Sequence, residues 1–222
     1  MAAAGIGREQ LVLDLGAGSG RITAELAQAA RRVIAVELDP YWAAHLRGRW
    51  PNVDVVEGDA ASVGLPRKPF RVVANLPFDR TTTILRNLLD DPAVPLLRAD
   101  LVVEWSVAVK RALPWPSTQN GILWSAWYTS TVVRRLPRTA FVPMPSVAGG
   151  VLVLERRTRS LVPETSVQNY RRFVSGGFRR GLRSVVPRQA LRKHALVAAA
   201  PRDLDAYQWA ALFLETRGRV RV

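Results

Sequence analysis

The stretch Leu11-Val12-Leu13-Asp14-Leu15-Gly16-Ala17-Gly18-Ser19-Gly20 decides the fold of this chain. Its first half is a short apolar run, which is typical of a buried strand, and its second half has a glycine at every other position. Glycines let a backbone turn tightly and approach a ligand closely at the carboxyl end of a strand. Because a helical pattern follows over residues 21–30, the stretch predicts a strand–turn–helix unit with a ligand site at the turn.

Six further apolar runs, rich in β-branched residues, continue this pattern. They cover residues 33–38, 53–56, 70–74, 101–107, 128–134 and 150–154. Helical stretches such as 40–49 separate the early runs, and this alternation predicts an α/β fold with a mostly parallel sheet covered on both faces. The last two runs are close together in the chain and are predicted to form an antiparallel pair at one edge. The expected core is a seven-stranded, Rossmann-like sheet.

The last third of the chain has a different pattern, because the strand signal stops after Arg157. Apolar residues there alternate with basic ones in the manner of amphipathic helices with one basic side. The apolar members are Phe173, Phe178, Leu182, Leu191 and Leu196. Pro187 and Pro201 interrupt these helices. The pattern predicts two domains, one over residues 1–157 and a small, basic helical one over residues 158–222.

The charge of the chain is strongly positive and unevenly distributed. The formal net charge is +14 and the isoelectric point is near 11.4. Residues 156–222 carry a net charge of +11, whereas residues 1–155 carry +3. Such a field predicts a polyanionic partner for the C-terminal third. Arg outnumbers Lys by 29 to 3, which favours RNA because guanidinium groups bind phosphates and stack on bases, although a GC-rich genome would also enrich Arg.

Scarce residue types exclude several classes of site. The chain has no cysteine, so disulfides, thiolate zinc sites and cysteine nucleophiles are excluded. Because His45 and His194 are its only histidines, we expect no histidine-rich metal site. No apolar run approaches the roughly 20 residues that span a bilayer, and no basic region at the N-terminus leads into a long apolar one. We expect a cytoplasmic protein without a metal.

Two carboxylates lie at the carboxyl ends of the second and third predicted strands. Glu37 lies 21 positions after Gly16, as expected of an acid that accepts both hydroxyls of a ribose, and Asp59 follows the third run. Each acid alone is more often a solvated residue at a strand end. A dinucleotide site would require a glycine where the chain has Arg21. Together with Asn75 at the fourth strand end, the glycines and acids favour S-adenosylmethionine, which needs room for its methionine part and acceptors for its ribose and adenine amine.

The tetrapeptide Asn75-Leu76-Pro77-Phe78, here named the acceptor loop, suits an adenine base as methyl acceptor. The exocyclic amine of adenine is a poor nucleophile because its lone pair is delocalised into the ring. The side-chain oxygen of Asn75 and the carbonyl of Leu76 can accept the two amine hydrogens and turn the lone pair toward the methyl group, which is catalysis by positioning. Pro77 biases Leu76 to an extended conformation, and Phe78 would stack on the base. The alternative is a plain turn with Phe78 packed in the core.

These motifs, in this order, resemble those of the rRNA adenine N6-methyltransferase superfamily, which includes the Erm macrolide-resistance enzymes and the KsgA-type small-subunit dimethyltransferases. The matching pieces are residues 13–20, 37–40, 58–60, 75–78 and 141–147. The resemblance covers nearly the whole chain and implies a class I methyltransferase sheet with a small C-terminal helical domain. It also implies that the acceptor loop is the catalytic element that holds the target base. The implied cofactor contacts are Gly16, Ala17, Gly18, Glu37, Leu38, Asp59, Ala60 and Asn75.

Within the superfamily, several features resemble actinobacterial Erm proteins more than KsgA. They are the stretches 107–112 and 124–127, the short basic C-terminus, and Ala148-Gly149 where KsgA-type sequences usually read Asp-Ser. Erm membership implies methylation of one adenine of 23S rRNA at the entrance to the peptide exit tunnel, with resistance to macrolides, lincosamides and streptogramin B. A KsgA-type enzyme would instead modify paired adenines near the end of 16S rRNA. A third alternative is a non-catalytic RNA-binding protein on a degenerate methyltransferase fold.

RNA contacts are expected mainly in the domain over residues 158–222, whereas residues 1–157 form the cofactor-binding catalytic domain. The candidate contacts are Lys110, Arg111, Arg179, Arg180 and Arg183. The first two lie beside a Pro-rich loop with Trp115 and are predicted to reach RNA near the target base, although such a loop is as often a solvated connection. The expected partner is 23S rRNA, naked or pre-ribosomal, and the protein is expected to be a monomer.

The N-terminus departs from the resemblance. The superfamily normally has a segment containing Gln-Asn-Phe ahead of the first strand, and the ten residues that precede Leu11 lack it. We expect a start site assigned too late, or a trimmed chain, rather than a natural deletion. A chain that truly lacked this segment would bind the cofactor less firmly while keeping its RNA contacts.

Overall fold

The computed structural model describes residues 4–112 and 118–216. Within them are the strands β1 (Leu11–Leu15), β2 (Arg32–Glu37), β3 (Val53–Glu57), β4 (Phe70–Asn75), β5 (Leu96–Glu104), β6 (Tyr128–Leu136) and β7 (Gly149–Arg156). The α-helices are α1 (Arg21–Ala29), α2 (Pro40–Leu46), α3 (Thr81–Leu89), α4 (Trp105–Arg111), α5 (Gln119–Ser125), α6 (Val167–Arg180), α7 (Arg188–Lys193) and α8 (Ala206–Thr216). Among the described residues, no helix is long and apolar enough to cross a membrane.

The seven strands form one sheet in the order β3-β2-β1-β4-β5-β7-β6. Strands β1 to β5 are parallel to one another, with Leu13 of β1 opposite Ile34 on one side and Val72 on the other. β7 is antiparallel to β5, with Ala99 opposite Leu154. The predicted α/β fold with a mostly parallel, Rossmann-like sheet is therefore confirmed. β6 and β7 are neighbours at one edge, as their closeness in the chain suggests.

The strand order reverses beside β1, and this reversal places the ligand site. The chain proceeds from β1 outward to β2 and β3 on one side and then returns to β4 and β5 on the other. Ligands of open α/β sheets bind at such a point, in the crevice outside the carboxyl ends of the strands. The glycine loop (residues 16–20) follows β1 and the acceptor loop follows β4, so both loops lie at this crevice.

Burial explains why β1 is apolar at every position but Asp14. Val12, Leu13 and Leu15 are at most 1% exposed, as expected for a parallel sheet with both faces covered. Leu26 of α1 and Val33 of β2 belong to the same apolar cluster as Val12. Each fully buried side chain of this kind stabilises the fold by about 1.5–3 kcal/mol, so that β1 is a rigid base for the glycine loop.

The fifth strand differs from the prediction at both ends. It spans Leu96–Glu104 rather than residues 101–107, and the residues after it enter helix α4. Charged residues interrupt its first half and obscure it in the sequence. They are paired in the fold, however, with Arg98 at 2.7 Å from Asp100 and Arg71 at 3.1 Å from the same carboxylate. Because the pairs satisfy these charges, the strand extends back to Leu96.

Helix α2 is shorter than predicted, since it ends at Leu46 rather than near residue 49. Gly48 has a φ of +73°, a left-handed conformation that is common just after a helix. At the other end, the side chain of Asp39 accepts a hydrogen bond from the N–H of Tyr41 at 2.8 Å, and Pro40 is the first helical residue. Both are favourable starts for a helix. The helix therefore begins directly after Asp39, two residues beyond the end of β2.

The backbone divides into two compact units. The first comprises the described residues of Met1–Ala108 and Val132–Arg156, and the second those of Val109–Thr131 and Arg157–Val222. The segment Val109–Thr131, which the sequence places in the first domain, thus clusters with the C-terminal helices. Backbone hydrogen bonds explain this grouping, since the N–H groups of Arg157 and Leu161 donate to the carbonyls of Trp127 and Ala126, both at 2.8 Å.

The second unit has a core built largely from aromatic rings. Tyr170 and Phe173 of α6 lie edge-on to Phe213 of α8, with ring centroids 5.1 and 5.4 Å apart, and Phe173 lies 5.8 Å from Trp209. Gly177 faces Trp209 so closely that a Cβ atom there would come within 2.5 Å of the indole. No strand follows β7 within the described residues. The predicted helical character of the C-terminal region is therefore confirmed.

Candidate cofactor and acceptor site

The glycine loop turns the chain from β1 into α1 in a conformation that other residues rarely adopt. Gly16 and Gly18 have φ angles of +76° and +52°, in the left-handed region that favours glycine. The N–H groups of Gly16 and Ala17 donate to the carbonyl of Val36 at 2.8 and 3.1 Å, which ties the loop to β2. A Cβ atom on Gly18 would meet no atom within 4 Å. The space beside the loop is therefore open to a ligand.

Glu37 ends β2 with a buried carboxylate that the backbone holds in place. The residue is 8% exposed. One carboxylate oxygen accepts a hydrogen bond from the N–H of Gly18 at 2.6 Å, and the other accepts one from the N–H of Asp39 at 2.9 Å. Because each oxygen has two lone pairs, each keeps an acceptor position for a further donor. Two adjacent acceptors in a fixed orientation match the neighbouring hydroxyls of a ribose.

Asp59 follows β3 and provides a second fixed carboxylate. Its Oδ1 accepts a hydrogen bond from the N–H of Ala61 at 2.9 Å, and its Oδ2 is bonded by the guanidinium group of Arg80. The Ala61 hydrogen bond, and to a lesser extent the positive charge of Arg80, hold the pKa of Asp59 below its ordinary value. The carboxylate is therefore ionised at neutral pH and is a strong acceptor for an amine.

A cavity of about 510 Å³, here named the cofactor cavity, brings these groups together at the carboxyl ends of β1, β2 and β3. Its lining includes Gly16, Glu37, Leu38, Asp59, Ala60 and Ile84. Leu38 is 61% exposed, and an exposed leucine beside two carboxylates offers an apolar contact for an aromatic ring. Open space at a glycine loop, a ribose acceptor, an apolar contact and an ionised acceptor are what S-adenosylmethionine requires. The residues therefore fit this cofactor.

The acceptor loop leaves β4 in a conformation that is fixed from both sides. Leu76 is 1% exposed, and its N–H donates to the carbonyl of Val102 in β5 at 3.0 Å. The carbonyl of Pro77 accepts hydrogen bonds from the N–H of Arg80 at 3.1 Å and from Oγ1 of Thr81 at 2.9 Å. The loop is thus anchored by a buried side chain and by the first turn of α3, which keeps it in one arrangement before a ligand enters.

A second cavity, of about 880 Å³, opens beside the acceptor loop and is here named the acceptor cavity. All four loop residues, Asn75, Leu76, Pro77 and Phe78, line it, together with residues of the glycine loop. Asn75 itself is exposed. Gly16 and Pro77 line both cavities, so the two cavities adjoin there. A methyl donor in one can therefore meet an acceptor in the other.

Two phenylalanine rings line the acceptor cavity. Phe78 is half-buried and lies edge-on to Phe141, with ring centroids 5.8 Å apart and an interplanar angle of 76°. Gly149 makes room for the second ring, since a Cβ atom there would lie 2.5 Å from Phe141. The cavity-facing position of Phe78 disfavours the alternative of a plain turn with its ring in the core. Phe141 is not among the residues predicted for the site from the sequence, because only the fold brings it to Phe78.

Asp14 lies in β1, two residues before the glycine loop, and is 1% exposed. Oγ1 of Thr23 donates to its Oδ2 at 2.6 Å, which ties β1 to α1. Burial, with a smaller contribution from the charge of Glu37, raises the pKa of Asp14 to about 7 despite that hydrogen bond. A protonatable group therefore lies close in the chain to Gly16, which lines the cofactor cavity, and Asp14 is not among the residues predicted for the site from the sequence.

Three of the predicted RNA contacts lie at the end of α6 and just beyond it. Arg179 and Arg180 are exposed in the last turn of this helix. Arg183 is also exposed, and its guanidinium donates to the carbonyl of Val197 at 3.3 Å. All three cations are therefore accessible to a phosphate.

The other two predicted RNA contacts have different environments. Lys110 is exposed near the end of α4. Arg111 is half-buried, lies over the Trp124 ring at 5.0 Å and bonds Oγ1 of Thr118. The predicted loop around Trp115 lies outside the described residues. Of this pair, Lys110 is the more accessible cation.

The fold and the site together define the class of protein. A mostly parallel seven-stranded sheet, a glycine loop after β1 and carboxylates after β2 and β3 are those of an S-adenosylmethionine-dependent methyltransferase. The family model described as ribosomal RNA adenine dimethylase matches residues 1–195, and the chain belongs to this family. The predicted cofactor and the predicted enzyme class, an rRNA adenine N6-methyltransferase, are thereby confirmed.

Known proteins are similar to the chain over most of its length. The mycinamicin-resistance protein MyrB of Micromonospora griseorubida is 39% identical over 215 residues, which cover 91% of this chain and 68% of MyrB. The ribosomal RNA small subunit methyltransferase A of Chlorobium phaeobacteroides is 30% identical over 177 residues, 77% of this chain and 65% of that protein. The crystal structure of the 23S rRNA methyltransferase ErmE matches with a TM-score of 0.82 and 28% identity, covering 96% of this chain and 93% of ErmE. The predicted resemblance to Erm-type enzymes is confirmed, and both branches of the superfamily are among the relatives.

Proposed function

We propose that this enzyme methylates N6 of one adenine of 23S rRNA and so confers resistance to macrolides, lincosamides and streptogramin B. The observation that carries the proposal is the likeness to ErmE, a 23S rRNA methyltransferase, over 96% of the chain. MyrB, at 39% identity, is a mycinamicin-resistance protein. The small-subunit methyltransferase is less similar, at 30% identity over 77% of the chain, and makes methylation of 16S rRNA the second candidate.

The cofactor cavity holds S-adenosylmethionine through acceptors that the backbone has already fixed. Glu37 accepts hydrogen bonds from the ribose hydroxyls, Leu38 packs on the adenine ring, and Asp59 accepts a hydrogen bond from the adenine amine. Gly16, Ala17 and Gly18 leave room for the methionine part, and Ala60 lines the adenine end. When bound, the cofactor supplies an electrophilic methyl group on its sulfonium.

Asn75 and Leu76 prepare the amine of the target adenine. Oδ1 of Asn75 and the carbonyl of Leu76 accept its two hydrogens, which turns the nitrogen lone pair away from the ring and toward the adjoining cofactor cavity. Because Leu76 is buried and the carbonyl of Pro77 is bonded to the first turn of α3, the loop needs little reorganisation when the base arrives. The alkylated nitrogen is acidic and gives its proton to water, so no strong general base is required.

Phe78 and Phe141 receive the base that leaves the RNA stack. Both rings line the cavity that Asn75 also lines, so a base stacked there has its amine near the acceptor loop. Base–aromatic stacking contributes about 1–3 kcal/mol per base. This offsets much of the few kcal/mol that unstacking the base costs.

Exposed arginines of the second unit bind the phosphates of the RNA. Arg179, Arg180 and Arg183 are clustered along α6 and the turn that follows it. Phosphate contacts set the position of a protein on a nucleic acid but carry no sequence information. The second unit therefore supplies affinity, and the acceptor cavity selects the base. The enzyme acts as a monomer in the cytoplasm, on naked or pre-ribosomal 23S rRNA.

Transfer of tritiated methyl groups to naked 23S rRNA and to 30S subunits tests this proposal. We expect saturable incorporation into 23S rRNA, at one adenine, and none into 30S subunits. Incorporation into 30S subunits alone would contradict the proposal and support the second candidate. A protein that binds S-adenosylmethionine but labels neither RNA would contradict both. Asn75→Ala, assayed in parallel, provides the background.

A further inference from the structure

Arg80 lines the cofactor cavity, follows closely after the acceptor loop in the chain, and has no role in the proposed mechanism. It is the residue before helix α3, just after the acceptor loop. Its guanidinium reaches Asp59, which follows β3 at the far side of the cofactor cavity. In the sheet, β2 and β1 separate β3 from β4, and three strand spacings amount to about 14 Å. Arg80 therefore links loops that follow two strands that are not neighbours in the sheet.

The backbone of Arg80 is bonded to the acceptor loop on one side and to the helix on the other. Its N–H donates to the carbonyl of Pro77 at 3.1 Å. Its own carbonyl accepts hydrogen bonds from the N–H groups of Thr83 and Ile84, both at 3.0 Å. A shift of Arg80 would therefore move Pro77, and with it the two acceptors that precede Pro77 in the chain.

The side chain of Arg80 determines where the Asp59 carboxylate lies. Oδ1 of Asp59 accepts a hydrogen bond from the N–H of Ala61, and Arg80 contacts Oδ2. The two contacts together fix the orientation of the Asp59 carboxylate. The two side chains are 42% and 33% exposed. An ion pair this exposed adds little to stability, and stability is therefore a poor explanation for it. Both residues line the cofactor cavity. There the orientation of the Asp59 carboxylate decides which atom of a ligand can donate a hydrogen bond to it.

We propose that Arg80 is a positioning residue that orients Asp59 toward the adenine amine of the cofactor and couples this contact to the acceptor loop. The inference rests on the proposed function, since that assigns Asp59 to the adenine amine. It has two consequences. Loss of the Arg80 side chain weakens cofactor binding through Asp59, and it also lowers turnover at saturating cofactor, because the turn that holds Pro77 is no longer bonded to Asp59.

The first test is a double-mutant cycle on cofactor affinity. Arg80→Ala should raise the Kd of S-adenosylmethionine by roughly 3- to 10-fold, the range of an exposed to partly shielded charge-assisted contact. In the Asp59→Asn background the same substitution should change the Kd by less than about twofold, because its target is gone. Arg86→Ala, an exposed arginine on the same helix, is the matched control and should leave the Kd unchanged. Equal effects of Arg80→Ala in the two backgrounds would overturn the proposal.

A second measurement separates orientation of Asp59 from general loss of structure. The affinity of the wild type for S-adenosylhomocysteine should be at least about 10-fold higher than its affinity for the hypoxanthine analogue of that ligand. The analogue lacks the amine that donates a hydrogen bond to Asp59. Arg80→Ala should shrink this ratio by about 3-fold or more, and Arg80→Lys should restore part of it. A damaged fold would weaken both ligands alike and leave the ratio unchanged, which would contradict the proposal. Failure of the wild type to bind either ligand would instead contradict the proposed function.

Discussion

The two adjoining cavities of the first unit are built from different chemistry. The cofactor cavity presents Glu37 and Asp59, whose carboxylates are held by backbone N–H groups. The acceptor cavity presents two phenylalanine rings and the amide of Asn75, and no carboxylate is among the described residues that line it. Fixed charges suit a small ligand with hydroxyls and an amine at defined places. Aromatic rings and neutral hydrogen-bond acceptors suit a base that belongs to a polyanion such as RNA. A carboxylate in the acceptor cavity would repel the phosphates of such a ligand.

Because the two cavities differ in chemistry, we expect substitutions in one to affect cofactor binding and substitutions in the other to affect turnover. Substitutions in the cofactor cavity should raise the Kd of S-adenosylmethionine, whereas substitutions in the acceptor cavity should lower kcat and leave that Kd nearly unchanged. The following experiments test whether the two effects can be separated in this way, beginning with the largest expected change.

Asn75→Ala should have the largest effect, on kcat. In the proposed mechanism Asn75 accepts a hydrogen bond from the amine in the transition state, and loss of one such pre-organised group typically costs about 100- to 1,000-fold. The Kd of S-adenosylmethionine should change by less than about 5-fold, as measured by titration calorimetry. Asn169→Ala, at an exposed position on α6, is the control. A kcat within twofold of wild type would show that Asn75 does not prepare the amine.

Phe78→Ala should reduce turnover next most strongly. Loss of a stacking contact worth about 1–3 kcal/mol corresponds to roughly 5- to 150-fold. Phe78→Tyr keeps the ring and should retain most of the activity. Single-turnover methylation of 23S rRNA measures both variants. If Phe78→Ala remained as active as Phe78→Tyr, the aromatic ring would have no part in holding the base.

Glu37→Gln should act on the other cavity. Both carboxylate oxygens accept backbone N–H groups, so an amide nitrogen there would place a donor against a donor and would disturb the ribose acceptor. We expect the Kd of S-adenosylmethionine to rise by roughly 10- to 150-fold, the range of a lost hydrogen bond to a charged group, while kcat at saturating cofactor changes little. Glu57→Gln, at the exposed end of β3, is the control. A normal Kd with a low kcat would reverse the proposed division between the cavities.

The salt dependence of binding should differ between RNA and S-adenosylmethionine. Replacing Arg179, Arg180 and Arg183 together by Ala should lower RNA affinity by about 10-fold at low salt and reduce the slope of log K against log salt by roughly 2 to 3. The affinity for S-adenosylmethionine should not change. A triple variant of Arg8, Arg31 and Arg67, exposed cations of the first unit, is the control. An equal reduction in both variants would mean that overall charge, rather than the surface at the end of α6, binds RNA.

Asp14→Asn should have the smallest effect on turnover. Its expected effect is on the pH dependence of the free energy of unfolding. The pKa of Asp14 is about 7 in the folded protein, above its ordinary value of 3.8. The folded state therefore holds the proton more tightly, and this group lowers the free energy of unfolding as pH rises from about 4 to about 7, by at most about 4 kcal/mol. Urea unfolding at pH 5 and pH 8 should differ less in Asp14→Asn than in wild type. The exposed residue Asp54 provides the control, Asp54→Asn, and an equal pH dependence in all three proteins would contradict the prediction.

Local patterns in the sequence predict the first half of the sheet well. Strands β1 to β4 agree with the prediction to within one residue at each end, because each predicted run is mostly apolar and contains only one charged residue. The start of β5 could not be predicted, since Arg98 and Asp100 are compatible with a strand only through partners elsewhere in the fold. The grouping of Val109–Thr131 with the C-terminal helices depends on similarly distant hydrogen bonds.

The same distinction applies to the site. The glycine loop, Glu37, Asp59 and the acceptor loop can be recognised because each lies at or near the carboxyl end of a predicted strand. Arg80 and Phe141 could not be recognised, because what matters is the contact of Arg80 with Asp59 and of Phe141 with Phe78. Contacts between loops that follow different strands depend on strand order, which the local pattern does not contain.

Identifying the methylated nucleoside tests the central claim most directly. Naked 23S rRNA is treated with wild type and with Asn75→Ala, digested to nucleosides and analysed by mass spectrometry with chromatographic standards. The account predicts N6-methylated adenosine from the wild type and a yield at least about 100-fold lower from the variant. A methyl group on N1, C2 or C8 of adenine, or N6 methylation that persists in Asn75→Ala, would contradict it.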